Sequence, residues 1–247
     1  MQGFWDWFRW LYETTGINLS IFYDAFDRAH FLAGLLVTLR LSAVCIVLSV
    51  VIGIIGAWLQ DSRLKFVRGL VYWYIQFFRN TPPLVQLFFF YFGLGGLLTS
   101  ATGTGEHVPL VGNITWAIVS LSFFAGAFNT EIFRSGIQAI SGTTIEAAQS
   151  LGFSRLRTYL LIVFPLALRI SLPALANNLV NLVKATTLAY AIAVPEMLYV
   201  TSQIWSDELN VPELMNVLLV CYVVLAGALA YLMRRWERAL HLPGFGS

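Results

Sequence analysis

Charge-free apolar runs recur along the chain at the length of a membrane crossing. About 18 such residues span the hydrocarbon core as a helix. One run covers 41–59 and extends back to about Phe31. A second covers 69–78, is broken at Arg79 and resumes from Asn80 to about Leu98. The third is 107–130. The fourth, 170–183 and 185–195, is interrupted by Lys184, and the fifth is 214–233. The pattern predicts an all-α membrane protein with five transmembrane helices, the second and fourth irregular.

The basic residues set an orientation. Arg63, Lys65 and Arg68 lie in the 61–68 loop, Arg134, Arg155 and Arg157 in or beside the 134–157 loop, and Arg234, Arg235 and Arg238 in the C-terminal tail. The loops at 99–112 and 196–213 contain no Lys or Arg. Lys and Arg mark the cytoplasmic side, so the N-terminus is expected outside and the C-terminus in the cytoplasm. Reporters at positions 103 and 206 should then read as exterior, and those at 62, 141 and 241 as cytoplasmic.

Composition agrees with this reading. The chain has 247 residues, 58% hydrophobic and 11% charged, with mean hydropathy +0.73. Soluble domains carry about 25% charged residues. A net charge of +2 leaves no nucleic-acid footprint. Cys45 and Cys221 both lie in apolar runs and read as unpaired thiols. Residues 1–30 carry Asp6, Arg9, Glu13, Asp24, Asp27 and Arg28, without the apolar core of a cleavable signal. Their Trp-rich start, residues 4–12, is too short and charged to span. It reads as a helix lying on the outer surface, where Trp and Tyr favour the headgroup level, or equally as an arm packed on the bundle.

The cytoplasmic loop at 141–158 holds a short, sharply bounded helix. Thr143 and Glu146 have capping-box spacing. Ala147, Ala148 and Leu151 share a face. Gly152 suits a left-handed helix end, and Ser154 can cap the next helix. Such a helix is either a docking element for another protein or a solvated connector.

In the second span, Pro82 and Pro83 remove two N–H donors and break the helix beside Arg79, Asn80 and Thr81. Broken helices at membrane depth are tolerated where they are buried or line a pathway. Arg79 could meet a substrate carboxylate; it could instead pair with a helix-end carbonyl or Glu131, or snorkel to the headgroups. In the fourth span, Asn177, Asn178 and Asn181 form a polar stripe, followed by Lys184, Thr186 and Thr187. These residues suit a polar pathway or interhelical hydrogen bonds. Glu196, with Asp207, Glu208 and Glu213, is expected to make the outer loop acidic. That loop would receive a basic patch on an external partner or simply be solvated.

The run Glu146-Ala147-Ala148, three residues, Gly152, nine residues, Ile162, one residue, then Phe164-Pro165 resembles the EAA loop of ABC importer permeases, with Phe164 where the family has Leu. Residues 78–86, Phe-Arg-Asn-Thr-Pro-Pro-Leu-Val-Gln, resemble the FRGTP-x-LVQ run of the polar amino acid permeases, those for His, Glu, Gln, Arg and opines. Residues 128–137 resemble their A-E-x-x-R-G-G-I run, with Ser135 replacing the first Gly. Many members read K-D-T-S-L where this chain reads Lys184-Ala185-Thr186-Thr187-Leu188. The missing Asp argues against a subunit devoted to Arg or Lys.

The resemblance implies a type I importer permease: a periplasmic interfacial segment over 1–30 and a transmembrane permease domain over 31–240 in the bacterial cytoplasmic (inner) membrane. Glu146, Ala147, Ala148, Leu151 and Gly152 would couple it to a cytoplasmic ATPase subunit. A second permease chain, identical or homologous, and a periplasmic amino-acid-binding protein would complete the system among membrane lipid, with no nucleic acid involved. No Walker A sequence, catalytic set or metal site is apparent, so ATP and Mg would be used by the partner and no cofactor held here. Other classes remain. Another small zwitterion such as an opine or osmolyte could be the cargo. An ion-coupled secondary transporter needs acidic residues within its spans, and only Glu131 qualifies. A non-transporting anchor leaves Arg79, Lys184 and the Asn stripe without a role.

Overall fold

The computed structural model describes residues 2–101 and 107–240. Positions 103 and 241, expected exterior and cytoplasmic respectively, lie outside them. The helices are α1 (Gln2–Thr15), α2 (Ser20–Tyr23), α3 (Ala25–Gln60), α4 (Lys65–Asn80), α5 (Pro83–Phe88), α6 (Asn113–Gln138), α7 (Gly142–Ser150), α8 (Arg155–Thr158), α9 (Phe164–Ala185), α10 (Met197–Glu208) and α11 (Val211–Leu240). The α class is as expected. One small departure is a two-stranded antiparallel ladder of β1 (Thr99–Ala101) and β2 (His107–Pro109). It takes up the start of the expected third span, so α6 begins at Asn113. There Asn113 donates to the carbonyls of Ile192 and Ala193 at 3.1 and 2.7 Å.

Among the described residues, four helical stretches are long and apolar enough to cross a membrane: Ala25–Gln60, Asn113–Gln138, Arg155–Ile192 and Val211–Leu240. The remaining expected crossing is divided. Helix α4 ends at Asn80, and α5 continues through a π turn at Phe89–Leu94 and a 3-10 turn at Gly95–Leu97. The break falls at Thr81 and Pro82, because Thr81 precedes a proline and is held extended, at φ −112° and ψ 146°. The first span starts earlier than expected. Asp24 Oδ1 accepts from the N–H groups of Phe26 and Asp27 at 2.8 and 3.0 Å and so opens α3 at Ala25. The resulting helix of 36 residues is about 54 Å long at 1.5 Å per residue.

The chain forms two compact units. One comprises residues 1–45, 84–120 and 183–226; the other comprises 46–83, 121–182 and 227–247. The first is built on Ile21, Phe31, Met197, Val200, Ile204 and Leu214. The second is built on Ala57, Phe133, Leu172, Leu175, Leu179 and Met233. Cys45 is buried and Cys221 half-buried, and neither is in a disulfide.

In the first unit Glu196 departs from its expected place. It is fully buried, not part of an acidic surface. Its carboxylate accepts from the N–H groups of Leu198 and Tyr199 at 3.0 and 2.8 Å and from the Tyr222 hydroxyl at 2.9 Å. It caps α10, where the first N–H groups lack helical partners. Asp207 stays exposed, while Glu208 and Glu213 accept from Asn18.

Candidate functional site

Two groups of residues in the second unit carry chemistry. The first is the 141–158 loop. The expected helix is present, but its cap lies two residues earlier than the capping-box spacing suggested. Ser141 Oγ, not Thr143, accepts from Thr144 N at 3.4 Å. At the other end Gly152 adopts φ +85°. Phe153 N donates to Ala148 O at 3.2 Å and Gly152 N to Gln149 O at 2.9 Å. These two bonds form a Schellman motif, which satisfies carbonyls that a helix end would leave open. Ser154 Oγ then accepts from Arg157 N and starts α8, as expected.

The loop is anchored from below. Ile145 and Tyr159 pack against a cluster of Ile140, Val163 and Ala167. This splits the predicted docking residues. Ala148 is 4% exposed and faces inward, whereas Leu151 is 80% exposed. Glu146, Ala147 and Gly152 are exposed with it. An apolar leucine left in water beside a smooth alanine, on a helix fixed at both ends, is suited to fill a partner's groove.

The second group surrounds Glu131 on α6. Its carboxylate accepts from Gln60 Nε2 at 3.1 Å and Arg134 Nη2 at 2.7 Å. Arg79 Nη1 lies 3.8 Å away, and its guanidinium sits 5.3 Å from the Phe128 ring centroid. An open cleft of about 370 Å³ is lined by Arg79, Phe128, Glu131, Ser135, Gly136 and Ser171. Two guanidinium groups against one carboxylate leave this cluster with a net positive charge. Arg79 is the looser partner of the two.

The other predicted pathway residues part company. Asn80 donates to Gln76 Oε1 at 2.9 Å, and Thr81 Oγ1 to Phe77 O at 2.7 Å. Asn178 donates to Asn129 Oδ1 at 2.8 Å and to Ala125 O at 3.1 Å. Asn129 in turn donates to Ser49 Oγ at 3.2 Å. That chain is an interhelical bond of the kind membrane bundles use, so Asn178 is engaged between helices while Asn177 and Asn181 remain exposed. Lys184, Thr186 and Thr187 belong to the first unit. There Lys184 is exposed, Thr186 is fully buried with its hydroxyl on Val183 O, and Thr187 bonds Lys184 O. Sequence reasoning missed Gln60, Asn129 and Ser49 as partners. Each is an ordinary polar residue whose spacing carries no signal.

A family model described as the binding-protein-dependent transport system inner membrane component matches residues 32–240. The chain belongs to this family. It is similar to the probable amino-acid permease protein YxeN of Bacillus subtilis (strain 168), 30% identical over 84% of this chain and 89% of that protein. It is also similar to the histidine/lysine/arginine/ornithine transport system permease protein HisM of Salmonella typhimurium (strain LT2), 31% identical over 83% of this chain and 87% of that one. Among solved structures, an amino acid ABC transporter crystallised with histidines superposes with a TM-score of 0.75 at 27% identity, covering 86% of this chain and 94% of that one. The permease is thus a multi-pass membrane protein, and the family match leaves α1 and α2 outside it.

Proposed function

We propose that the chain is the membrane-spanning subunit of an ATP-binding-cassette importer that carries polar amino acids across the bacterial cytoplasmic membrane. The observation that carries this reading is the exposed, doubly capped α7 in a chain of this family. Leu151, Ala147 and Glu146 present a rigid surface to a cytoplasmic ATPase, which binds ATP and Mg and hydrolyses the nucleotide. Gly152 sets the angle at which α7 leaves, and Ala148 holds it to the bundle. A second permease chain and a periplasmic amino-acid-binding protein complete the importer. Residues 1–30 precede the permease domain of 31–240. The chain crosses five times, N-terminus outside, with the divided α4–α5 segment as one crossing.

The substrate class follows from charge. Every polar amino acid carries an α-carboxylate and an α-ammonium. The cleft beside α6 offers Arg79 to the first and Glu131 to the second. Its lining otherwise includes Ser135, Ser171 and Phe128, which supply neutral contacts and an aromatic wall. With Arg134 already on Glu131 at 2.7 Å, Arg79 is the guanidinium available to trade partners.

Purified permease, reconstituted in vesicles with its ATPase and binding protein, should accumulate a polar amino acid only when ATP is supplied on the ATPase side. Uptake that persists without ATP and follows an imposed ion gradient would mark a secondary transporter instead. In the same system Arg79→Gln should raise the substrate concentration for half-maximal ATPase stimulation by about 10- to 150-fold. That is the loss of a charge-assisted hydrogen bond of about 1.5–3 kcal/mol. An abundant, assembled Arg79→Gln complex with unchanged substrate response removes Arg79 from the ligand set.

Orientation is tested separately. Reporter fusions at Ser62 and Ser141 should read as cytoplasmic, and one at Ser206 as exterior, following the Lys and Arg bias. A cytoplasmic reading at Ser206 contradicts the five-crossing arrangement.

A further inference from the structure

Helix α1 lies ahead of the residues that the family match covers. Its side chains fall into three sectors at 100° per residue. Trp5 and Phe8 form the packed sector. The Arg28 guanidinium sits 4.6 Å above the Trp5 ring, and Phe8 stacks on Phe22 with centroids 4.5 Å apart. Asp6, Arg9 and Glu13 form a charged sector and are exposed. Positions 3, 7, 10 and 14 fall within a third sector of roughly 60°. There Trp7 and Trp10 are 50% and 55% exposed. An indole stripe left open beside a charged stripe, on a helix held to the bundle through Trp5 and Phe8, has the composition of an interfacial helix.

The packing fixes its level. Phe22 and Arg28 bracket the start of α3, where Asp24, Asp27 and Arg28 give way to an apolar surface of exposed Phe26, Leu32, Leu36 and Leu39. A charged-to-apolar transition of this kind marks the water–hydrocarbon boundary on a spanning helix, and α1 is packed beside it. An open, largely apolar cleft of about 460 Å³ lies in the same unit, lined by Ile17, Leu19, Phe22, Val217 and Val220 together with Glu213 and Asn216. Indole rings favour this depth, with the ring in the acyl boundary and the N–H among headgroups.

We propose that α1 is a lipid anchor, lying in the plane of the bilayer with Trp7 and Trp10 seated at the headgroup level and Asp6, Arg9 and Glu13 facing water. The partner surface is phospholipid, not another protein. Unlike a packing arm, α1 uses two of its faces: one holds it to the bundle and the other grips the membrane.

A cysteine scan over positions 6, 7, 9, 10, 13 and 14 in a Cys221→Ser chain tests this. Each spin-labelled variant is reconstituted, as the intact importer, in vesicles of phosphatidylcholine and phosphatidylglycerol. Collisions with oxygen and with a water-soluble nickel chelate are then measured. Oxygen should dominate at 7, 10 and 14, and nickel at 6, 9 and 13. The Glu13 and Thr14 pair keeps both indoles in place, so its contrast survives even if losing a tryptophan loosens the helix. Nickel access at all six positions overturns the anchor. Shielding of 7, 10 and 14 from both reagents also overturns it, because a protein then covers the stripe.

Discussion

Gly152→Pro should cut ATP-driven uptake at least about tenfold while the protein stays at wild-type abundance in the membrane. Gly152 holds φ at +85°. Proline fixes φ near −65° and has no N–H, so the 2.9 Å bond from Gly152 N to Gln149 O is lost. The Phe153 bond to Ala148 O, which depends on the same left-handed residue, is lost with it. Gln149 is exposed, so its freed carbonyl turns to water, while Ala148 is buried and its carbonyl loses a partner locally. Both lie in the loop helix outside the apolar spans, so insertion and packing of the spans are spared. What changes is the direction in which α7 presents Leu151 and Ala147. No atom lies within 4 Å of a Cβ built at Gly152. Gly152→Ala therefore suffers only the left-handed backbone penalty of about 1–2 kcal/mol and should lose less transport. Glu146→Lys leaves the backbone alone and reverses one exposed charge, and should weaken ATPase association at normal abundance. Normal uptake by an abundant Gly152→Pro protein would remove α7 from the coupling role.

Gly136→Val should act oppositely, removing folded protein before transport can be measured. A Cβ at Gly136 overlaps Ser171 Oγ and lies 2.7 Å from the carbonyl oxygen of Ala167. The second obstacle is backbone of α9, which cannot rotate away. Helix α6 approaches α9 this closely only because position 136 has no side chain, as membrane helices with small residues at their interfaces do. Overpacking of this kind costs about 1–3 kcal/mol and occasionally more, a large share of a typical domain's stability. Gly69 provides the control. A Cβ there meets nothing within 4 Å, so Gly69→Val should keep its thermal midpoint. Equal midpoints for the two variants in detergent would show that the α6–α9 approach is not tight.

The spans and the loop helix were legible because their signals are local. Apolar runs, the break at Pro82, Gly152 and Ser154 each act through neighbours a few residues away. The misreadings arose where local rules allow two answers. Ser141 and Thr143 can both accept from a first-turn N–H; Ser141 has the extended backbone of a cap, φ −64° and ψ 142°, whereas Thr143 lies inside the helix. Glu196 looked like one acid among several, and only the return of α11 with Tyr222 buries it. The Asn stripe was divisible in principle. At about 100° per residue the three directions span an arc of about 100° with Asn178 at one edge, so Asn178 can turn to a neighbouring helix while Asn177 and Asn181 stay open. Which of them meets Asn129 is a tertiary fact. Ala148 and Leu151 share a helix face by spacing, yet the bundle ends between them, burying one and leaving the other in water.

In the proposed importer this chain borrows its energy from an ATPase through α7. The most direct measurement is purification of the tagged full-length chain from its native membrane, with ATP hydrolysis and subunit stoichiometry determined together. The account predicts an ATP-hydrolysing subunit in fixed stoichiometry with the permease, and its loss from the Gly152→Pro chain at equal permease yield. A wild-type chain that purifies free of ATPase and still transports when reconstituted alone would contradict it.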